Sequence, residues 1–381
     1  MLYAGPARDQ EELNLAIALA GRAFASLADG TGQNLERKRA HILEHPGAGK
    51  DPAIVVSLGR QGVIGAAFLI DRMFPRGPAS IRGTFLSSVC IDESLRGQGY
   101  SRILIGAALQ ACSKRGAAIA LVIARRAVDR FYNKFGFWGL SQYNKLTVES
   151  AVFADVNTAG LRLRRVSIDD IRVCSALYDL AYEDSFGHCS RDWQTWKYVM
   201  EESEYLRVTV SVIENDRAII AYAIHDESGN IHEISSDGIS SARMALALLA
   251  RSAAGKLLTV YISPTHPAVR ALEGFDVTLT TRECPFGGHM VKVVDPVQLV
   301  DAAVCRIEQL ARSKNIAPGT EDVDGVRLMW DGEKASVHPQ CSIESFASVA
   351  RLLGVAHISS AGRPLIFDPS VSFNIPLVDQ I

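Results

Sequence analysis

Residues 89–101 constrain the chain more than any other stretch. They read VCIDESLRGQGYS. An apolar run predicts a buried strand, and two glycines then come just before a predicted helix over residues 101–115. Glycine lets the backbone approach an anion closely, and the free amides at a helix start favour phosphate. Arg96 adds charged donors. The stretch therefore predicts a pyrophosphate loop, although its letters alone also fit a plain glycine turn.

The surroundings favour the first interpretation. Strand-like runs stand before the loop at residues 53–58 and 63–70, and another follows the helix at 118–124. The motif FYNKFGF then occupies residues 131–137 and overlaps a predicted helix near 129–134. The two motifs together resemble the GNAT superfamily of acyl-CoA N-acyltransferases. In that superfamily R-x-x-G-x-G/A is the pyrophosphate loop, and F-Y-x-x-x-G-F is the later helix-to-strand motif. Ser101 departs from the usual last Gly or Ala, but it is small.

The resemblance implies transfer of an acetyl group from acetyl-CoA to an amine. The strand end would splay and offer backbone groups to the pantetheine arm and the thioester carbonyl. Tyr132 stands where the superfamily commonly has its general acid. The alternative is that its ring packs under the sheet and its hydroxyl only finds a partner. The implied cofactor contacts are Val89, Cys90, Ile91, Arg96, Gly97, Gln98, Gly99, Tyr100, Ser101, Arg102, Ala127 and Val128.

A second unit repeats the opening plan. From Leu161 a short strand, an acidic turn and an amphipathic helix follow one another, and Gly274-Phe275 echoes Gly136-Phe137. Residues 232–242 have one glycine and no arginine, so they cannot build a pyrophosphate cradle. We therefore predict an α/β (α+β) chain of tandem GNAT folds. The first, active fold takes residues 1–150, the second, degenerate fold takes 160–290, and an α+β module takes 291–381.

The whole chain resembles the Eis (enhanced intracellular survival) family of acetyltransferases, whose third module is sterol-carrier-protein-like. Residues 289–300 and 376–381 carry this wider resemblance. It implies a homo-oligomer, with a hexamer favoured, and a catalytic base that is the terminal carboxylate, here on Ile381. The sequence departs from the family at Asp92-Glu93, where a proline is usual, and at the last residue, which is often aromatic.

Composition excludes several other classes. The net charge is −2, which gives no field for nucleic acid, and no apolar run reaches the roughly 20 residues of a membrane span. The start has acidic residues where a signal peptide needs basic and then apolar ones. Seven scattered cysteines without C-x-x-C fit free thiols in the cytoplasm. His41, Glu44 and His45 match a zinc pattern, but Pro46 places the second histidine at a helix end, where we expect it solvated. We predict no metal.

The sequence thus predicts an acetyl-CoA-dependent N-acetyltransferase for primary amines of a small polyamine-like acceptor, such as the aminoglycosides best known for the family. A peptide, a protein lysine or a natural-product amine stays open as acceptor. A non-catalytic acyl-CoA sensor or scaffold is the alternative of another class, and a lipid-binding role for the last module is a third. Acidic residues over 183–202 suit a polycation or simply a solvated helix face. Trp193 and Trp196 are either core or pocket wall, with core favoured.

Overall fold

The structure is a computed structural model that describes residues 1–24, 39, 42–124, 130–139, 143–182, 188–205, 208–253, 257–262, 266–282, 288–323 and 326–339. None of the helices among them is long and apolar enough to cross a membrane.

The first sheet has seven strands in the order β1-β2-β3-β4-β5-β14-β6. Its members are β1 (Leu2–Pro6), β2 (Ala53–Leu58), β3 (Val63–Arg76), β4 (Ala79–Ile91), β5 (Ile119–Ala124), β6 (Trp138–Gly139) and β14 (Gly288–Val293). β4 and β5 run parallel, whereas the other neighbours are antiparallel.

Two helices cover opposite faces of this sheet. They are α1 (Gln10–Ala23) and α2 (Tyr100–Lys114). The core under α1 takes Ala66 and Phe68 from β3, and the core under α2 takes Ala67 and Leu69. Because successive strand residues point to opposite faces, the two helices lie on different sides. The predicted strands and the predicted helix over 101–115 are therefore confirmed, with β3 and β4 longer than expected.

The second sheet repeats this plan in the order β13-β7-β12-β11-β10-β9-β8. Its strands are β7 (Tyr143–Glu149), β8 (Arg162–Arg165), β9 (Thr209–Glu214), β10 (Ile219–His225), β11 (Asn230–Ser236), β12 (Leu257–Ile262) and β13 (Val277–Arg282). Its helices are α3 (Ile171–Tyr182), α4 (Trp193–Tyr205), α5 (Ile239–Ser252) and α6 (Pro267–Ala271). β11 and β12 form its one parallel pair among the described strands, and α5 joins them as α2 joins β4 to β5.

The two sheets exchange strands. β7 comes from the first half of the chain and lies between β12 and β13 of the second sheet. β14 comes after the second half and lies between β5 and β6 of the first sheet, with Val293 opposite Ile119. The predicted boundaries near 150 and 290 follow the repeat in sequence, but the sheets themselves interlock across both of them.

The last described part is a helix with a small antiparallel sheet. It consists of α7 (Pro296–Ser313), β15 (Gly319–Val323), β16 (Val326–Trp330) and β17 (Ala335–Pro339). Asp295 caps α7 by accepting the amide of Val297 at 3.0 Å. The apolar face of α7, with Leu299 and Ile307, joins one buried cluster with Ile70 and Phe85 of the first sheet. The predicted α+β module runs to residue 381, and its residues 340–381 lie outside the described residues.

The predictions for the helix near 129–134, the two tryptophans and the cysteines differ in outcome. The predicted helix near 129–134 is a 3-10 turn at Tyr132–Phe135. Trp196 is core, as favoured, whereas Trp193 is 55% exposed. The cysteines that the structure describes are free, namely Cys90, Cys112, Cys174, Cys189 and Cys305, and only the last is exposed. Cys284 and Cys341 lie outside the described residues.

Candidate functional site

The central feature of the first sheet is a fork between β4 and β5. These strands pair in parallel over only three positions, and the last pair is Phe85 with Leu121. Beyond that pair β4 continues to Ile91 and β5 to Ala124, but the two strands do not pair with each other there. β4 meanwhile stays paired with β3 as far as Ile91. The fork is thus the gap between residues 86–91 and 122–124, and it leaves peptide groups of β4 turned toward it.

A bulge in β4 sets the direction of the fork. Ser87 pairs with Phe68 and Cys90 pairs with Ala66, so two residues of β4 stand opposite one residue of β3. Ser88 has φ +50°, a left-handed conformation that costs a residue with a Cβ about 1–2 kcal/mol. Strained backbone of this kind persists only where the surrounding fold holds it in place, and it is often found at functional sites.

The turn after β4 is stabilised by the side chain of Asp92 instead of by a proline. Asp92 accepts the amide and the hydroxyl of Ser94 at 3.1 and 2.7 Å, and it caps a 3-10 turn over Glu93–Leu95. These hydrogen bonds hold the pKa of the Asp92 carboxyl below its ordinary value. The exposed Glu93 lies 3.7 Å from Arg96. The Asp92-Glu93 departure from the family pattern therefore still yields a defined turn.

The two glycines of the loop have the backbone that a cradle needs. Gly97 has φ +79° and Gly99 has φ +85°. A Cβ added at either position would meet no described atom within 4 Å, so packing does not require glycine there. The left-handed φ values require it, and the space in front of the backbone is open. This geometry fits a large anion resting against the main chain.

The start of α2 completes an anion site. Gly99 stands before its first turn, no described side chain caps that turn, and the turn holds no acidic residue. The amides and the dipole of a 15-residue helix therefore point at the open space beside the glycines. Arg96 and Arg102 are exposed cations on either side. The residues present thus fit the pyrophosphate of a CoA molecule, with the fork continuing the site along β4.

The second sheet has a fork without a cradle. β11 and β12 pair only at Asn230 with Thr259 and Ile231 with Val260. Gly238 precedes α5 with φ 177°, which is ordinary extended backbone, and Asp237 puts a negative charge beside the helix start. The start of α5 therefore offers a phosphate neither a left-handed glycine nor an arginine before the helix. The predicted loss of a cofactor loop in this unit agrees with this geometry.

Tyr132 lies in the core beside the fork. It is 7% exposed and belongs to the buried cluster of the α2 face, against which Val89 and Ile91 also pack. Its ring meets Phe131 and Phe137 edge to face at 5.0 and 5.8 Å. Burial, with a smaller effect of the nearby Cys90 thiol, raises the pKa of Tyr132 to about 12. The phenol is therefore protonated at neutral pH and able to donate.

Most of the predicted site residues come together at one place. Residues 89–91, 96–102 and Tyr132 surround the fork and the start of α2. Ala127, Val128, Ile381 and His41 lie outside the described residues. Sequence reasoning missed the left-handed Ser88, since nothing in the run Ser-Ser-Val signals a bulge.

The expectation for His45 was wrong. It is 2% exposed rather than solvated, its Nδ1 accepts the amide of Gly47 at 2.9 Å, and its ring contacts Tyr198 at 4.7 Å. Residues 45–47 lie against β3, where Asp71 donates its amide to the carbonyl of Gly47, and this contact covers the imidazole. Within the described ranges, no group of three or more His, Cys, Asp or Glu residues is placed to hold a metal ion.

Comparisons with known proteins agree with this geometry. The model of the acetyltransferase (GNAT) family matches residues 32–137. No curated protein matches the sequence significantly. The fold is similar to that of a GCN5-related N-acetyltransferase from Kribbella flavida, with a TM-score of 0.68 and 16% identity over 99% of this chain and 98% of that one.

Two further structures share the fold. A GCN5-related N-acetyltransferase from Anabaena variabilis has a TM-score of 0.66 and 15% identity over 92% of this chain and 89% of that one. Eis1 from Mycobacterium abscessus has a TM-score of 0.60 and 13% identity over 98% and 97%. At such identities the likeness concerns the fold, whereas the family match falls on the segment that carries the fork and the glycine loop. Residues 32–137 are therefore similar to the acetyltransferases of the GNAT family, and the chain is an acyltransferase enzyme that takes acetyl-CoA as its co-substrate.

Proposed function

We propose that the enzyme transfers the acetyl group directly from acetyl-CoA to a primary amine of a small polyamine-like acceptor, of which aminoglycosides are one type. The observation that carries the proposal is that the fork leads straight to the glycine loop. A CoA pyrophosphate on residues 97–101 would direct its pantetheine arm along residues 89–91, toward the point where the strands separate. The thioester would then lie between β4 and β5, open to an amine from the other side.

The reaction itself needs two proton movements. The amine nitrogen attacks the thioester carbon, the C–S bond breaks, and the nitrogen loses a proton while the sulfur gains one. Backbone amides of β4 at the fork would stabilise the negative charge that develops on the carbonyl oxygen, a contribution often worth about 3–4 kcal/mol per donor. Their peptide groups are fixed by the bulge, so little reorganisation is needed during the reaction.

Tyr132 is our candidate for the proton donor to sulfur. Its pKa of about 12 keeps it protonated. Against a thiol of ordinary pKa about 8.5 the transfer is uphill by about 5 kcal/mol. The thiolate would form in the same apolar surroundings, which raise the pKa of a thiol as well. The difference between the pKa values of Tyr132 and the CoA thiol is therefore smaller than in water.

The base that we propose is the terminal carboxylate on Ile381, as the Eis resemblance implies. Ile381→Ala keeps that carboxylate and should keep much of the activity. A few residues appended after Ile381 convert it to an amide and displace it, so kcat should collapse while acetyl-CoA still binds, because termini tolerate extension. A C-terminally extended enzyme with full activity would move the base to Asp92, Glu93 or a water held by strand carbonyls.

The wider Eis resemblance supplies the remaining proposals. The second sheet would be a degenerate GNAT unit that shapes the acceptor pocket, and α7 with β15–β17 would begin a sterol-carrier-protein-like module. Ala127 and Val128 would add backbone contacts to the cofactor. The assembly would be a hexamer in the cytoplasm.

A release assay tests the central proposal. CoA thiol is followed with a chromogenic disulfide while the enzyme meets acetyl-CoA and a panel of amines, including aminoglycosides, linear polyamines, a lysine peptide and a monoamine. We expect turnover with the polyamine group above the monoamine. Preference for the lysine peptide would instead assign a peptide or protein acceptor. Absence of turnover with every amine would refute amine acetylation.

A further inference from the structure

The second unit holds a buried ion pair at its own fork. Arg191 and Glu233 are both fully buried, and two nearly parallel hydrogen bonds join them at 2.7 and 2.6 Å. Glu233 stands on β11 just beyond Ile231, the last residue that pairs with β12. The hydroxyl of Tyr222 donates to the same carboxylate at 2.7 Å. This fork therefore holds an internal charge pair where the first fork has its proposed reaction site.

Two adjacent aromatic rings contact the guanidinium. Its central carbon lies 4.1 Å from the ring centre of Tyr178 and 4.9 Å from that of Trp196. Trp196 also meets Tyr222 edge to face at 5.4 Å. A bidentate carboxylate and two rings hold Arg191 in one position, because its planar guanidinium group must contact all three at once.

Arg191 belongs to a segment that crosses to the first sheet. One residue earlier, Ser190 donates its amide to the carbonyl of Met73 on β3 at 2.7 Å. The carbonyl of Cys189 accepts the hydroxyl of Tyr178 at 3.0 Å. The side chain of Cys189 is fully buried in the same cluster as Phe85 and Leu121, the last pair before the first fork. The segment thus connects the ion pair of one unit with the fork of the other.

From these contacts we infer that residues 188–190 form a wall on the acceptor side of the active fork, and that Arg191 and Glu233 are the positioning residues that hold it. The inference rests on the proposed function for its acceptor, but not for the anchor itself. The charge pair fixes the end of the wall that follows Ser190, the amide of Ser190 attaches the wall to β3, and Cys189 packs in the buried cluster that contains Phe85.

Two variants and a control test the anchor. Glu233→Gln keeps the shape of the side chain but leaves the Arg191 charge without its counter-charge. The double variant Arg191→Met with Glu233→Leu replaces the pair by apolar groups, a change that buried pairs often tolerate in stability. Asp322→Asn is the control, because it breaks the exposed pair between Asp322 and Arg327.

The first readout is alkylation of single cysteines, followed by mass spectrometry of the labelled peptides. If the wall moves, Cys189 should react about tenfold faster or more in Glu233→Gln and in the double variant. Cys112, on the buried face of α2, should stay protected, and Cys305 serves as the exposed reference. If Cys112 is labelled together with Cys189, the variant is generally unfolded. That result would refute a positioning role for the residues changed in it. A protected Cys189 in the folded double variant would overturn the anchor.

The second readout separates amine from cofactor. At saturating acetyl-CoA the KM for the amine should rise about tenfold or more in both variants, since small displacements of a positioning wall have large effects. The Kd for acetyl-CoA should stay within about twofold, because the glycine loop lies in the other unit. Unchanged amine KM with an exposed Cys189 would refute the wall. A wild-type enzyme that acetylates no amine would refute the proposed function, while the labelling result would still decide the anchor.

Discussion

Replacing Gly99 by asparagine and by aspartate isolates the charge that the cofactor meets. Both side chains tolerate the left-handed backbone better than other residues do, and they have nearly the same size. Gly99 has φ +85°, and open space faces its missing Cβ. The steric and conformational costs of the two variants should therefore be similar. Their difference reports one negative charge placed at the start of α2.

The magnitude follows from Coulomb's law. A carboxylate about 5 Å from the nearest phosphate charge, at an effective dielectric constant between about 20 and 80, is repelled by about 1–3 kcal/mol. That corresponds to a Kd for acetyl-CoA about 5- to 150-fold weaker in Gly99→Asp than in Gly99→Asn. The same charge interacts favourably with the dipole of α2, by about 0.3–1 kcal/mol. The aspartate variant should thus be the more stable protein and the poorer binder.

Calorimetry at two salt concentrations and a thermal unfolding curve measure both effects. The affinity difference should shrink at higher salt, since the loop is exposed and screening acts on it. Equal affinity of the two variants for acetyl-CoA would refute the pyrophosphate site at residues 97–101. A lower Tm for Gly99→Asp than for Gly99→Asn would refute the role given to the helix start.

Three further outcomes are expected. Tyr132→Phe should lower kcat by about 100-fold or more with little change in acetyl-CoA affinity, and a rate within about twofold of wild type would assign the proton to another group or to water. The pKa of Tyr132 is raised to about 12, so the phenolate absorbance that wild type shows and Tyr132→Phe lacks should appear near pH 12. The stability gained by burying the neutral phenol should be complete below about pH 10 and lost as the pH rises through 12. A phenolate transition near pH 10 would contradict the burial of Tyr132. Light scattering at micromolar concentration should show a hexamer, and a monomer would count against the Eis resemblance.

The sequence was most informative where chemistry and local backbone coincide. The glycines at 97 and 99 are needed for their own φ values, so a short motif was enough to find the loop and the helix behind it. The amphipathic helices and apolar strands followed from their periods in the same way.

What the sequence left hidden depends on distant partners. Ser88 is left-handed because the pairing of β4 with β3 forces a bulge, not because serine favours it. Glu233 is an acidic residue inside a strand, and that is a signal of a buried pair, but Arg191 could be named only once the fold brought them together. His45 was misjudged because the covering β3 and Tyr198 come from elsewhere in the chain.

The exchanged strands have a consequence for synthesis on the ribosome. β5 gains its neighbour β14 only after the entire second unit has been made. Until then the edge of β5, in the middle of the future sheet, exposes unpaired backbone groups, the kind of surface on which chains aggregate. Neither half can complete its sheet alone, so a fragment cut between them should collect in the insoluble fraction. The two halves should become protease-resistant together, when residues 288–293 leave the exit tunnel.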